Sequence, residues 1–345
     1  MAAQRLGIGM VGTGIMARTH ATALAAYHRS AVTGWLAISD RNLDAITRSS
    51  DAPVYRELTD LLADPDTHGV LIATPDHLHR TTAIAAAEAG KHLLIEKPLA
   101  TTVEDAEAIR DAAAANGVVA MTLFSHRFVP AYWQAKQLID EGKLGPLRMA
   151  YARKNDTRYV PLQMIGWADR TTPSFFLSSH DIDLILWYAQ ATVTEVYATA
   201  VFGTLTSLGV DTPDGIQAQL RLSTGAVVTV EACWSYPNGY PTMTDSFIEL
   251  ILADGVIHLD RKLEQLEVAD AERLSYPRNL LVNQVAGKPS GATAVAVEHF
   301  VDCVLDEAAP LIDIASSVHV TEVLAAIEQS HLSGRPVRLE GEHHA

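Results

Sequence analysis

Two side chains in this 345-residue sequence stand where proton and charge chemistry would need them. His180 lies in "FFLSSHDIDLILWY", between two serines and an Asp-Ile-Asp step, just ahead of an apolar run with helical spacing. Histidine titrates nearest neutrality, so it is either a proton-transfer group here or the polar end of a buried helix. Lys97 lies in "LLIEKPLA", between Glu96 and Pro98. A lysine directly after a strand, followed by a residue with a locked φ, is a cation aimed in one direction rather than a freely solvated charge. A third signature, "GMVGTGIMA", reads G-x-G-x-x-A at Gly12, Gly14 and Ala17. Gly12 permits a tight turn, Gly14 lets the backbone approach a pyrophosphate, and Ala17 lets helix and strand pack closely. Ile15 and Met16 open the next helix, whose N-terminus offers free N–H groups and a positive dipole to phosphates.

The elements around these residues are short apolar strands separated by helices. Residues 5–11, 32–39, 69–75, 91–96 and 117–122 read as strands, and alanine-rich segments such as "TTAIAAAEAG" read as the helices between them. That alternation predicts a parallel sheet covered on both faces, a doubly wound Rossmann domain over residues 1–125. Thr74-Pro75 and Glu96-Lys97 then end two strands at the carboxyl edge of the sheet, where ligands bind in open α/β sheets. Asp40, in "AISDRN", ends the second strand, where a carboxylate bonds both hydroxyls of an adenosine ribose and repels a 2′-phosphate. The expected cofactor is therefore NAD, and Arg41 beside it leaves NADP open. From residue 126 to 345 the pattern changes to a second α+β domain with a large open, mostly antiparallel sheet. Hairpins are expected at Thr224-Gly225 and Asp254-Gly255, and two helices close the chain.

Composition bounds the function classes. A hydrophobic fraction of 48% with 19% charged residues belongs to a folded globular protein. The formal charge of −15 repels a phosphate backbone, so nucleic acid is not expected as a partner. Cys233 and Cys303 are far apart and outside any CxxC, which gives neither a disulfide framework nor a zinc site. No apolar run reaches 18 residues, so no membrane span is expected, and a reducing, cytoplasmic setting is the default.

In order along the chain, "GMVGTGIMARTHA", "IATPDHLH", "LIEKPLA", "SHRFVPAYWQAKQLIDEGKLGPL", "SHDIDL" and "SSVHVTEVLAAIEQSHLSGRPVRL" resemble the glucose–fructose oxidoreductase / inositol dehydrogenase (Gfo/Idh/MocA) oxidoreductases. The resemblance implies a nicotinamide cofactor at the cleft between a Rossmann domain and the open-sheet domain. It also implies oxidation of a ring hydroxyl of a sugar or cyclitol, or reduction of the matching ketone, and homodimers or homotetramers formed through the sheet. It puts Lys97 on nicotinamide and substrate, His180 at the catalytic histidine and His79 near the cofactor. Many members carry an aspartate four residues before that histidine, and here the position is Phe176.

Oxidising a secondary alcohol needs a hydride acceptor and a base for the hydroxyl proton. If Ser178 or Ser179 caps the helix, His180 lies in its first turn, where the dipole keeps imidazole neutral. Asp183, three residues on, either orients that ring or ties the helix to a neighbouring loop. Arg153, Tyr159 and Trp167 are expected to line the pocket of a polyhydroxylated ligand together with Phe176. Arg127 reads equally as a domain-junction residue or a substrate contact, and no metal is expected at His77-x-His79. Two alternatives stay open: a redox-neutral epimerase, isomerase or lyase that recycles its NAD, and a non-catalytic dinucleotide-bound sensor.

Overall fold

The computed structural model describes residues 5–37, 44, 46–47 and 50–339. The chain forms two compact units, residues 1–128 with 281–318 and residues 129–280 with 319–345. The expected boundary at 125/126 falls within a few residues of the first crossing. Residues 281–318, expected in the second domain, belong instead to the first unit. Their helix packs on the first helix of the chain, and its Asp302 accepts hydrogen bonds from Tyr27 Oη and the Arg29 guanidinium, both at 2.6 Å.

In the first unit, strands β1 (Leu6–Val11), β2 (Ser30–Leu36), β3 (Val54–Tyr55), β4 (Gly69–Ile72), β5 (His92–Ile95) and β6 (Ala120–Thr122) form one parallel sheet in the order β3-β2-β1-β4-β5-β6. The order reverses between β1 and β4, the switch point at which doubly wound sheets take their ligands. Strands buried on both faces read as unbroken apolar runs, and all six residues of β1 are buried. Helix α1 (Ile15–Ala26) follows β1, α2 (Leu58–Ala63) precedes β4, α3 (His79–Glu88) joins β4 to β5, and α4 (Val103–Ala115) joins β5 to β6. Thr102 caps α4 by accepting the Asp105 N–H at 3.1 Å. The core between α3, α4 and the sheet is built from Ile72, Ala83, Leu93, Ile95 and Ile109.

The second unit opens with α5 (Pro130–Asp140), whose first residue is proline, as a helix start tolerates. Its sheet comprises β7 (Leu147–Thr157), β8 (Val193–Val201), β9 (Gly215–Leu222), β10 (Val227–Tyr236), β11 (Thr244–Leu252) and β12 (Gly255–Asp260). Two short hairpins follow, β13 (Val268–Ala269) with β14 (Leu274–Ser275) in this unit and β15 (Asn283–Val285) with β16 (Lys288–Ser290) in the first. The edge strand β17 (Val337–Arg338) completes the order β12-β11-β7-β10-β9-β8-β17. Both expected hairpins form, β9–β10 and β11–β12, and the pairing is antiparallel except for β7 beside β10.

One face of this sheet carries Ala150, Ala152, Lys154, Val228, Val230 and Ile248, all buried. The other carries Met149, Tyr197, Val201, Val227, Ile251 and Val256, all exposed. Strand alternation sets the two faces apart. Helix α6 (Ser179–Ala189) lies on the buried side, joined through Asp181 to Lys154.

Candidate active site

The glycine turn of the first unit meets the spatial demands read from its sequence. Gly12 has φ +108°, and a Cβ there would come within 2.5 Å of the Ala73 carbonyl oxygen, so the turn excludes any side chain. A Cβ at Gly14 would meet nothing within 4 Å, which leaves open space at the start of α1 for a pyrophosphate. Ala17 is fully buried between helix and sheet, whereas Ile15 and Met16 stand exposed beside the open space. These residues fit a dinucleotide. Asp40 and Arg41, expected at the ribose, lie outside the described residues.

The carboxyl edge continues with Thr74-Pro75 after β4 and Glu96-Lys97-Pro98 after β5, and the Lys97–Pro98 peptide is cis. Glu96 anchors this loop. Its Oε1 accepts from His20 Nε2 at 2.6 Å, and its Oε2 accepts the Lys97 backbone N–H at 3.1 Å. Burial pushes the Glu96 carboxyl upward, but the His20 hydrogen bond and the nearby Lys97 outweigh it and hold it below its usual value.

His79, expected near the cofactor, braces the same edge of the sheet. Only 1% exposed, it faces main-chain carbonyls with both ring nitrogens: Nδ1 lies 3.1 Å from Pro98 O and 3.2 Å from Leu99 O, and Nε2 lies 3.2 Å from Thr74 O. Burial lowers its pKa, and the ring bridges the loop after β4 and the loop after β5. Lys97 itself is half-buried at the end of a loop tied down on both sides. Arg127 is buried in the same unit, where its guanidinium donates to Leu311 O at 3.1 Å.

In the second unit α6 starts at Ser179, as expected, but without the expected serine cap. A π-helical turn, Ser174–Ser178, runs straight into α6; Ser178 has helical angles (φ −66°, ψ −19°) and makes no side-chain cap. The Ser179 N–H already donates to Ser174 O. His180 is thus in the body of a continuous helical segment, and the argument that a first-turn dipole keeps it neutral does not hold. Phe175 and Phe176 prolong the apolar pattern backwards, and local spacing does not distinguish a π turn from an α turn. Single π turns recur at functional sites. Glu328 fixes this entry by accepting from Thr172 Oγ1 at 2.6 Å and from Ser174 Oγ.

Residues 177–179 and 181–185 are buried, and His180 alone in that run is half-exposed. Asp181 is bound to Lys154 Nζ at 2.6 Å, with both side chains under 5% exposed. Burial raises the Asp181 pKa by more than Lys154 and Arg261 lower it. Asp183 is buried one turn beyond His180.

The expected pocket residues separate. Phe176 lies edge-on to Trp234 with ring centroids 5.5 Å apart, and both belong with Trp167, Leu177 and Val160 to one apolar cluster beneath β10. Tyr159 is 44% exposed at the start of the preceding helical turn. Arg153 is not brought to this side. Its neighbour Lys154 points to α6, so alternation sends Arg153 to the open face, where it donates to Asp245 at 3.2 Å and stacks on Phe247 at 5.0 Å.

Neither His20 nor Lys154 stands out in the sequence as a site residue. A signal existed for His20, which falls on the stripe Ala17, His20, Ala21, Leu24 of an alanine-rich helix, where a polar ring needs a buried partner.

Two family models cover most of the chain: the oxidoreductase family with NAD-binding Rossmann fold over residues 6–124, and the GFO/IDH/MocA C-terminal domain over residues 132–258. The chain belongs to the Gfo/Idh/MocA oxidoreductases. It is 31% identical over 265 residues to levoglucosan dehydrogenase of Pseudarthrobacter phenanthrenivorans, which covers 66% of this chain and 67% of that protein. It is 27% identical over 286 residues to scyllo-inositol 2-dehydrogenase (NAD+) of Bacillus subtilis, 81% of this chain and 80% of that one. Among solved structures, scyllo-inositol dehydrogenase of Lactobacillus casei with bound NAD(H) and scyllo-inositol superposes with a TM-score of 0.82 at 21% identity, over 97% of this chain and 99% of that one. As a member of this family the protein is an NAD-binding oxidoreductase. Among the described residues no helix is long and apolar enough to cross a membrane.

Proposed function

We propose that the protein oxidises a secondary ring hydroxyl of a cyclitol, sugar or anhydrosugar, or reduces the matching ketone, with Lys97 and His180 acting on the reacting oxygen. The observation that carries the reading is the placement of Lys97: it ends a strand at the carboxyl edge of the sheet, in a loop held by His20, Glu96 and His79, near the switch point that the glycine turn opens. Gly12, Gly14, Ile15, Met16 and Ala17 hold the dinucleotide phosphates, and Thr74 and Pro75 flank them. Asp40, by its place after β2, favours NAD over NADP.

When bound, the dinucleotide supplies a hydride acceptor. The other work belongs to the chain. An imidazole nitrogen of His180 takes the hydroxyl proton, and the Lys97 ammonium stabilises negative charge on the oxygen as it develops. Asp183, one turn away, holds the ring's orientation. Phe176 and Trp167 present apolar surface, which suits the hydrogen-bearing face of a ring; Phe176 replaces a carboxylate with bulk. The apolar residues of the open sheet face support association of copies through that face.

A turnover screen of inositols, glycosides and anhydrosugars with NAD and with NADP, read at the reduced-nicotinamide band, tests the proposal. The expected outcome is net reduction of NAD by at least one of them. His180→Ala and Lys97→Ala should each lower kcat by about 10²–10⁴-fold while the NAD-induced rise in Tm is retained. Variants that turn over at the wild-type rate refute the assigned roles.

A further inference from the structure

His20 is a buried titratable group in the first unit for which the proposed reaction has no use. It is 1% exposed, on the inner stripe of α1, two turns after the glycine turn. Among the described residues its Nδ1 has no hydrogen-bond partner, and its Nε2 hydrogen-bonds Glu96 Oε1 at 2.6 Å. The second oxygen of the same carboxylate accepts the Lys97 N–H. Helix α1 begins where the dinucleotide phosphates bind, and the Glu96 loop carries the lysine. The hydrogen bond therefore connects the cofactor helix to the reactive cation through a single carboxylate.

We propose that His20 is a positioning residue for Lys97: by engaging one oxygen of Glu96 it fixes the other on the Lys97 N–H and sets the direction in which the lysine leaves the loop. The proposal rests on the reading that Lys97 works at the substrate oxygen. The buried Glu96 carboxyl is held below its usual value first by the His20 hydrogen bond and then by the nearby Lys97. Without His20 only Lys97 remains, so the carboxylate turns to the ammonium. The lysine is then drawn toward the sheet, more strongly protonated and less nucleophilic.

The test uses the full chain and three variants. His20→Leu fills the space without a donor, His20→Gln returns an N–H near the position of Nε2, and Glu96→Gln removes the charge. One readout is free of turnover: the rate at which acetic anhydride acetylates Lys97 at fixed pH, followed by peptide mass spectrometry and normalised to the exposed Lys143. The other is the split between kcat and KM. In His20→Leu we expect Lys97 to acetylate about threefold or more slowly, and in Glu96→Gln faster, because a nearby anion raises an amine's pKa and its removal lowers it. His20→Leu should lose about tenfold or more in kcat with KM for NAD within about twofold, since a misdirected group damages the chemical step rather than cofactor binding. His20→Gln should recover both quantities.

Unchanged labelling in His20→Leu overturns the proposal. So does labelling that moves in the same direction in His20→Leu and Glu96→Gln, since that marks general loosening. If His20→Leu does not fold, His20→Gln and Glu96→Gln decide between them: wild-type labelling in both refutes the coupling. A wild type that turns over none of the screened compounds sinks the functional reading alone, because the labelling comparison still reports on His20.

Discussion

Replacing Lys154 by methionine removes one partner of the buried pair next to His180 and leaves the packing volume nearly unchanged. Lys154 Nζ lies 2.6 Å from Asp181 Oδ1, and the two side chains are 4% and 2% exposed, so solvent does not screen the pair. Breaking such a pair from one side costs ~3–5 kcal/mol, chiefly the expense of a buried carboxylate without its partner. Arg261 also acts on Asp181, yet it is itself bound to Glu264 at 3.1 Å and gives only partial compensation. The lower end of the range, about 3 kcal/mol, is therefore expected. At roughly 2–4 °C per kcal/mol for a unit of this size, the melting temperature falls by about 10 °C.

The loss depends on pH. Burial already raises the folded-state pKa of Asp181 above its unfolded value, and losing Lys154 raises it further. Between the unfolded and folded values the folded chain binds more protons, so stability falls as pH rises through that window, by up to about 1.4 kcal/mol per pH unit, and is recovered as pH falls. Thermal melts of Lys154→Met and wild type from pH 5 to pH 8 should show the gap widest at pH 8. The double variant Lys154→Met/Asp181→Leu should regain most of the loss, because an apolar pair of similar volume replaces a charge with nothing to balance it. A Lys154→Met protein within a degree of wild type at pH 8, or a gap that grows toward acid, refutes the argument.

Three further outcomes follow from single positions. Gly12→Ala forces a Cβ to within 2.5 Å of Ala73 O at φ +108°; it should abolish the NAD-induced rise in Tm and cost at least ~1–3 kcal/mol of stability, read by denaturation with and without cofactor. Phe176→Ala empties part of the cluster with Trp234 and should destabilise by about 3 kcal/mol, whereas Phe176→Leu keeps the volume and should change the ranking of substrates more than it changes Tm. On the open sheet face, Val201→Asp with Tyr197→Asp should shift the mass measured by light scattering toward the monomer; an unchanged mass, or a wild type that is monomeric, removes that face as the site of assembly.

Legibility from sequence followed the range of the interactions involved. The glycine turn, the strand ends at Thr74 and Lys97, and the hairpins at Thr224-Gly225 and Asp254-Gly255 are local patterns, and each appears where its spacing implied. The expected start of α6 at Ser178–Ser179 holds, but no serine side chain caps it, because a π-helical turn enters through the same serines. Arg153 lies in the strand expected to wall the pocket. A side chain's face alternates residue by residue, and only the Lys154–Asp181 contact shows which face meets α6. The hydrogen bonds by which His79 joins two loops depend on carbonyls about twenty residues away, beyond the reach of local spacing.

The two-part architecture, the parallel sheet and the dinucleotide signature are legible in the sequence, because periodicity and glycine geometry act over a few residues. Tertiary structure alone decided that residues 281–318 return to the first unit, that His20 reaches Glu96 across 76 positions, and that Lys154 balances the charge beside His180. Those pairings join residues far apart in the chain, and the free energy that selects them, the cost of leaving a buried polar group without a partner, exists only once the chain has folded around it.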